Sequence, residues 1–381
     1  MATVNASASA TIWTLAERAV IAGDAPQLEQ LLADHDPILR GDRPRSTWLD
    51  LSPECPGTYR LQAASGSRDA RAIIVDKHHF ESWDQFALFT AALADPHSGI
   101  ARFESAAEAV VDGDVAALAR LLREQPELRQ ARSARRHHAT LLHYVGANGV
   151  EGFRQRTPRN AVQTAEILLD AGAEVDASAD MYGGGVTTLG LVATSVHPHA
   201  AGLQMALIDL LLSRGAALDR ERAAGDARGL VSSCLANGQG EAAAYLASRG
   251  AIMDLEAAAG AGRLDAVTRF FDADGRLNAS ATPAQMKDGF AWACLYGRAE
   301  VVEFLLQRGA SVVATDATWH STPLGWALYG WGQRPAGSVP QYYEVVTALV
   351  AAGSAVKPEW LSNERVRGDA RMVTALRGDA A

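Results

Sequence analysis

Histidines recur in two short clusters, HHATLLH at 137–143 and HPH at 197–199. Imidazoles at such spacing can ligate zinc or move protons. A tetrahedral metal site needs further ligands brought by the fold, however, and neither cluster has a CxxC nearby. The cysteines, Cys55, Cys234 and Cys294, are widely separated and odd in number, so no disulfide framework, metal or cofactor is expected. His197 and His199 straddle Pro198, and Asp180 and Tyr182 lie shortly before them. These four could converge as polar or acid–base groups.

Arginines form the second concentration. Arg129, Arg132, Arg135 and Arg136 are followed by Arg154, Arg156 and Arg159, and Glu151 is the one acidic residue across 129–160. Local positive charge of this kind suits a carboxylate or phosphate. The bland alternative is two solvated loops. Aromatics form the third group. Tyr296, Tyr329 and Trp331 lie near the ends of two apolar helical segments, and Trp319 and His320 lie between those segments. Exposed Trp and Tyr are typical interface anchors. Trp292 and Trp326 fall at positions expected to pack inward.

No catalytic motif joins these groups. There is no GxSxG, HExxH or P-loop, and GDARG (225–229) and YGGGV (182–186) read as glycine turns. Catalysis is therefore the lesser expectation. A net charge of -9 over 381 residues argues against a general nucleic-acid binder. The N-terminus does not read as a secretory signal, and no long apolar run predicts a membrane span. A reducing, cytoplasmic setting is the expectation.

The elements that must position these side chains repeat. LLDAGAEVD, LLSRGAALD, LASRGAIMD, LLQRGASVV and LVAAGSAVK each close an apolar run on glycine, at Gly172, Gly215, Gly250, Gly309 and Gly353. TLLHYVGANG, TTLGLVATS, GFAWACLYG and TPLGWALYG open the paired first helices. Leu168, Leu169, Val301, Val302, Leu305 and Leu306 follow helical spacing. Small residues at Ala293, Gly325 and Ala327 allow neighbouring helices to approach.

This pattern resembles the ankyrin-repeat family over roughly residues 100–361, with degenerate units at 16–39 and 107–128. A bacterial subgroup with a tryptophan-containing stretch such as HHFESWDQF (78–86) is also similar. The resemblance implies an all-α solenoid of helix–turn–helix units with β-turn fingers, and a role in binding a protein partner through its groove and finger tips. It places His143 at the T-P-L-H histidine, which hydrogen-bonds backbone. The expected organisation is an N-terminal segment (1–102), repeats (103–356) and a C-terminal helical cap (357–381).

Departures from the repeat point to the second reading. The regular spacing from inter-helix glycine to closing glycine is 12 residues, as from Gly297 to Gly309, but from Gly149 to Gly172 it is 23. Insertions around 150–160, 196–205 and 330–343 share one structural place, and the finger at 177–188 is long and rich in glycine. Per-repeat insertions often mark a binding face. A small anionic ligand held by Arg154, Arg156, Arg159, Tyr182 and His197 is the alternative to a protein partner. Residues 41–80 read as an irregular connection, and 81–95 as a helix with Ser82 as N-cap.

Overall fold

The computed structural model describes residues 15, 27, 30, 31, 75, 76, 78–219, 229–316, 319–334 and 341–378. Most of the degenerate unit at 16–39, most of the connection at 41–80 and part of the insertion at 330–343 lie outside these residues. The chain divides into two compact units, Met1–Ala217 and Leu218–Ala381.

In the first unit, α1 (Trp83–Leu93), α2 (Gly99–Asp112) and α3 (Val115–Glu124) start on side-chain caps. The Ser82 and Ser98 hydroxyls and the Asp114 carboxylate each accept a backbone N–H of the first turn. A 3-10 turn (Leu141–Gly146) replaces the next inner helix and packs against α2. Then come α4 (Ala161–Asp170), a finger hairpin of β1 (Ser178–Ala179) and β2 (Val186–Thr187), and α5 (Thr188–Thr194). The hairpin is antiparallel, with Ser178 opposite Thr187. The insertion at 196–205 holds α6 (Val196–Ala200) before α7 (Gln204–Ser213).

The second unit continues the pairing. Inner and outer helices alternate as α8 (Leu230–Ala236) and α9 (Gly240–Ser248), α10 (Leu255–Ala261) and α11 (Leu264–Val267), then α12 (Pro283–Leu295) and α13 (Ala299–Gln307). They end with α14 (Pro323–Gly332) and α15 (Gln341–Ala351). Three short helices follow, α16 (Pro358–Ser362), α17 (Glu364–Arg367) and α18 (Ala370–Arg377), in the region read as a cap. Met372, Ala375 and Leu376 of α18 join the same core as Val345, Val346 and Leu349 of α15.

One local device repeats in both units. Gly172, Gly215, Gly250, Gly309 and Gly353 all have φ between 83° and 96°. The residue after each donates to the carbonyl five residues back, as Ala310 does to Leu305 and Ser354 to Leu349. This is the Schellman closure, whose left-handed residue has no Cβ to clash. Inner helices pack closely behind it: a Cβ on Gly330 would overlap the Leu295 carbonyl oxygen.

Candidate functional site

In the first unit the arginines turn inward. Arg135, 3% exposed, donates to Glu104 Oε2 at 2.9 Å and to the His78 carbonyl at 3.0 Å, and it contacts Glu151. Arg154 donates to the same Glu104 oxygen at 2.6 Å and to Glu108 at 3.0 Å. Glu151 also receives the Tyr144 hydroxyl at 3.2 Å and lies 3.1 Å from His137 Nε2. Burial by itself would raise the Glu151 carboxyl. Arg135, the His137 hydrogen bond and Arg154 outweigh that and hold it well below the carboxylate range.

Arg132, Arg136 and Arg156 are also engaged. Arg132 binds the carbonyls of His138 and Ser178, and Arg136 binds Asp76 at 2.8 Å. Arg156 pairs with Glu108 at 3.2 Å and with Asp112. Arg159 is exposed on the insertion. The sequence offered Glu151 alone as a counter-charge, because Glu104, Glu108 and Asp112 come from α2, 31 to 50 residues before the arginines they pair with. His137 is 1% exposed. Its ring is drawn in by Glu151 and by Tyr144, 6.2 Å away.

The remaining polar candidates are held separately. Asp180 Oδ2 lies 2.8 Å from His138 Nδ1. Tyr182, at φ 52° and 50% exposed, donates to Asn148 Oδ1 at 2.6 Å. With Met181 it lies over Gly149, where a Cβ would collide with both. His197 is half-buried and its pKa is lowered by burial, whereas His199 is exposed. Among the described residues, no cluster of three His, Cys, Asp or Glu is placed to hold a metal. Arg154 and Arg156, proposed for an anion site, already neutralise carboxylates, so the geometry lends that reading no support.

In the second unit the aromatics form a face. Trp292 on α12 donates its indole N–H to Glu256 Oε1 of α10 at 2.7 Å and stacks on Tyr296, with centroids 5.9 Å apart and planes 15° apart. Trp326 on the adjacent α14 donates to Asp316 Oδ2 at 3.2 Å and meets Tyr329 edge-on at 5.9 Å. All four rings are half-buried. Asp316 also accepts the backbone N–H groups of Trp319 at 2.6 Å and Ser321 at 2.9 Å, which shapes the finger. Trp319 is 54% exposed there, beside exposed His320 at φ 51°.

Three expectations change. Trp331, read as an exposed anchor, is 4% exposed. It lies in the last turn of α14, within the core shared with Tyr343 and Val366, and the Arg365 guanidinium sits 4.8 Å from its ring centre. Trp292 and Trp326, read as inward, keep part of their rings at the surface. Tyr296 is more tied down than expected: its ring covers Gly240 and its hydroxyl donates to the Leu235 carbonyl. The signal that could have found the tryptophans is their identical repeat position, each following the small residue after the buried Phe290 or Leu324.

Residues 291–317, which run from the C-terminal end of α12 through α13 into the finger after it, match the sequence model of the ankyrin repeat. The chain carries an ankyrin repeat. The repeat units keep the paired helices and the glycine closures, and in one of them His143 Nδ1 accepts the Thr140 N–H at 3.1 Å while its Nε2 lies 3.3 Å from the Val186 carbonyl. Among solved structures, the ankyrin repeat domain of human ASB11 is 19% identical, covers 66% of this chain and 99% of its own, and gives a TM-score of 0.38. The ankyrin repeat domain of Bcl-3, of the IkappaB protein family, is 22% identical, with coverage of 72% and 98% and a TM-score of 0.32. No curated protein matches the chain in sequence. No helix among the described residues is long and apolar enough to cross a membrane.

Proposed function

We propose that the protein binds a protein partner through the aromatic face of its second unit, with Trp292, Trp326 and Tyr329 on the inner helices and Trp319 and His320 at the finger tip. Ankyrin repeats are generally protein–protein interaction modules. The observation that carries the reading is the pair Trp292 and Trp326. They stand at equivalent positions of neighbouring repeats, each with its N–H satisfied and its ring partly open to solvent. Large rings held in fixed geometry offer contact area at little entropic cost. The test is affinity capture with the wild-type chain and with a Trp319→Ala/Trp326→Ala double variant, after matched melting curves. Loss of a specifically retained protein is the expected result. Equal capture by both would remove the aromatic face from the reading.

A further inference from the structure

A groove of about 320 Å³ lies between the outer helices α3 and α4 of the first unit. Its walls are apolar: Ala119 and Leu122 of α3, Pro126 of the 3-10 turn Pro126–Arg129, and Ile167 and Ala171 at the end of α4. Leu122 is buried, and Ala119, Ile167 and Ala171 are half-buried. With single methyl groups at Ala119 and Ala171, the space between the helices is left unfilled.

Two exposed arginines, Arg123 and Arg129, complete the lining. Arg123 lies in the last turn of α3, and the stem of Arg129 lies against Gly172, where a Cβ would meet its Cδ at 3.6 Å. Cations suit helix C-termini. Neither guanidinium, however, has a hydrogen bond or an ion pair among the described residues. Neighbouring cations differ: Arg120 lies 3.2 Å from Glu124, and Arg214 lies 2.7 Å from Asp170. Those pairs also occupy the acids closest in sequence. Glu166 stands one turn before Asp170, on the side of α4 that meets Arg214, and Glu127 follows Pro126; neither lines the groove.

We infer that this groove binds a small amphiphilic monoanion, a carboxylate on an apolar body, with its head on Arg123 and Arg129 and its chain along Leu122 and Ile167. At ~30 Å³ for each water-sized group, the space takes about ten non-hydrogen atoms, which is a carboxylate carrying a chain of about eight carbons in all. Guanidinium pairs with carboxylate through two parallel N–H groups. A monoanion suits the place better than a dianionic phosphate, because the C-terminal ends of α3 and α4 disfavour concentrated negative charge. The site does not depend on the aromatic face, so either reading can fail without the other.

The experiment titrates the full chain with octanoate, following heat and the labelled methyl signal of Ile167, assigned by its loss in Ile167→Val. Octanol tests the tail without the charge, and acetate tests the charge without the tail. Octanoate should bind and move the Ile167 signal, octanol should bind more weakly, and acetate should do neither. Arg123→Gln/Arg129→Gln, at exposed positions, should weaken octanoate binding about threefold to twentyfold and flatten its salt dependence. Ala119→Leu, checked by melting, should fill the groove and abolish binding. Equal binding of octanol and octanoate, or no effect of the arginine pair, overturns the anionic assignment. A stationary Ile167 signal, or unchanged affinity in folded Ala119→Leu, overturns the groove as a site.

Discussion

Arg154 reaches back 50 residues to Glu104, and the two meet at 2.6 Å with both side chains under 10% exposed. The contact joins the insertion to α2. It places Arg154 in one buried set with Arg135, Glu151, His137 and Tyr144.

That set should be costly to interrupt. Removing one member of a buried ion pair leaves its partner desolvated and unpaired, which typically costs about 3–5 kcal/mol. Arg154→Ala should destabilise the first unit by that order, whereas Arg159→Ala, exposed on the same insertion, should change stability by less than about 0.5 kcal/mol. Urea unfolding monitored by circular dichroism measures both. Equal effects would mean the network contributes little.

Acid should destabilise the same unit. Burial lowers His78 to about 3, and lowers His79 and His143 to about 4. In the unfolded chain these imidazoles take up protons near the ordinary value of 6.5. Above that pH the groups are neutral in both states and stability is flat with respect to them. As pH falls from about 6.5 to 4 the unfolded state gains protons that the folded state refuses. Each fully buried imidazole then costs up to about 1.4 kcal/mol per pH unit. Glu151 acts in the same direction at lower pH, since its depressed folded value favours the folded state only while the carboxyl stays ionised. Melting temperatures between pH 7.5 and 4.5 should decline, less steeply in His143→Gln if that variant folds. A flat profile would contradict the burial of these rings.

The two tryptophans whose surroundings differ most make a sharp pair. Trp331→Ala empties a site lined by Tyr343 and Val366 and should cost about 3–5 kcal/mol. Trp319→Ala removes a ring already 54% exposed and should leave stability within about 0.5 kcal/mol while weakening partner binding. Thermal melts alongside binding measurements separate the roles. A large stability loss in Trp319→Ala would show that the finger tip is structural.

The repeat frame was legible in the sequence because its devices are local. A closing glycine, a capping hydroxyl at Ser82 or Thr322 and the Thr140–His143 contact act within a few residues, so spacing reveals them. Side-chain fate was not legible wherever the deciding partner is distant. Arg135 and Arg154 read as free charge because Glu104 lies 31 and 50 residues away. Trp331 read as an anchor because nothing nearby in the chain shows that α15 and α17 cover it. Trp292 and Trp326 read as core because their carboxylate partners come from the preceding repeat or finger. Helix and turn are chosen by short-range backbone chemistry. Which charge is neutralised and which ring stays open is decided by packing between repeats, and only the tertiary structure brings those residues together.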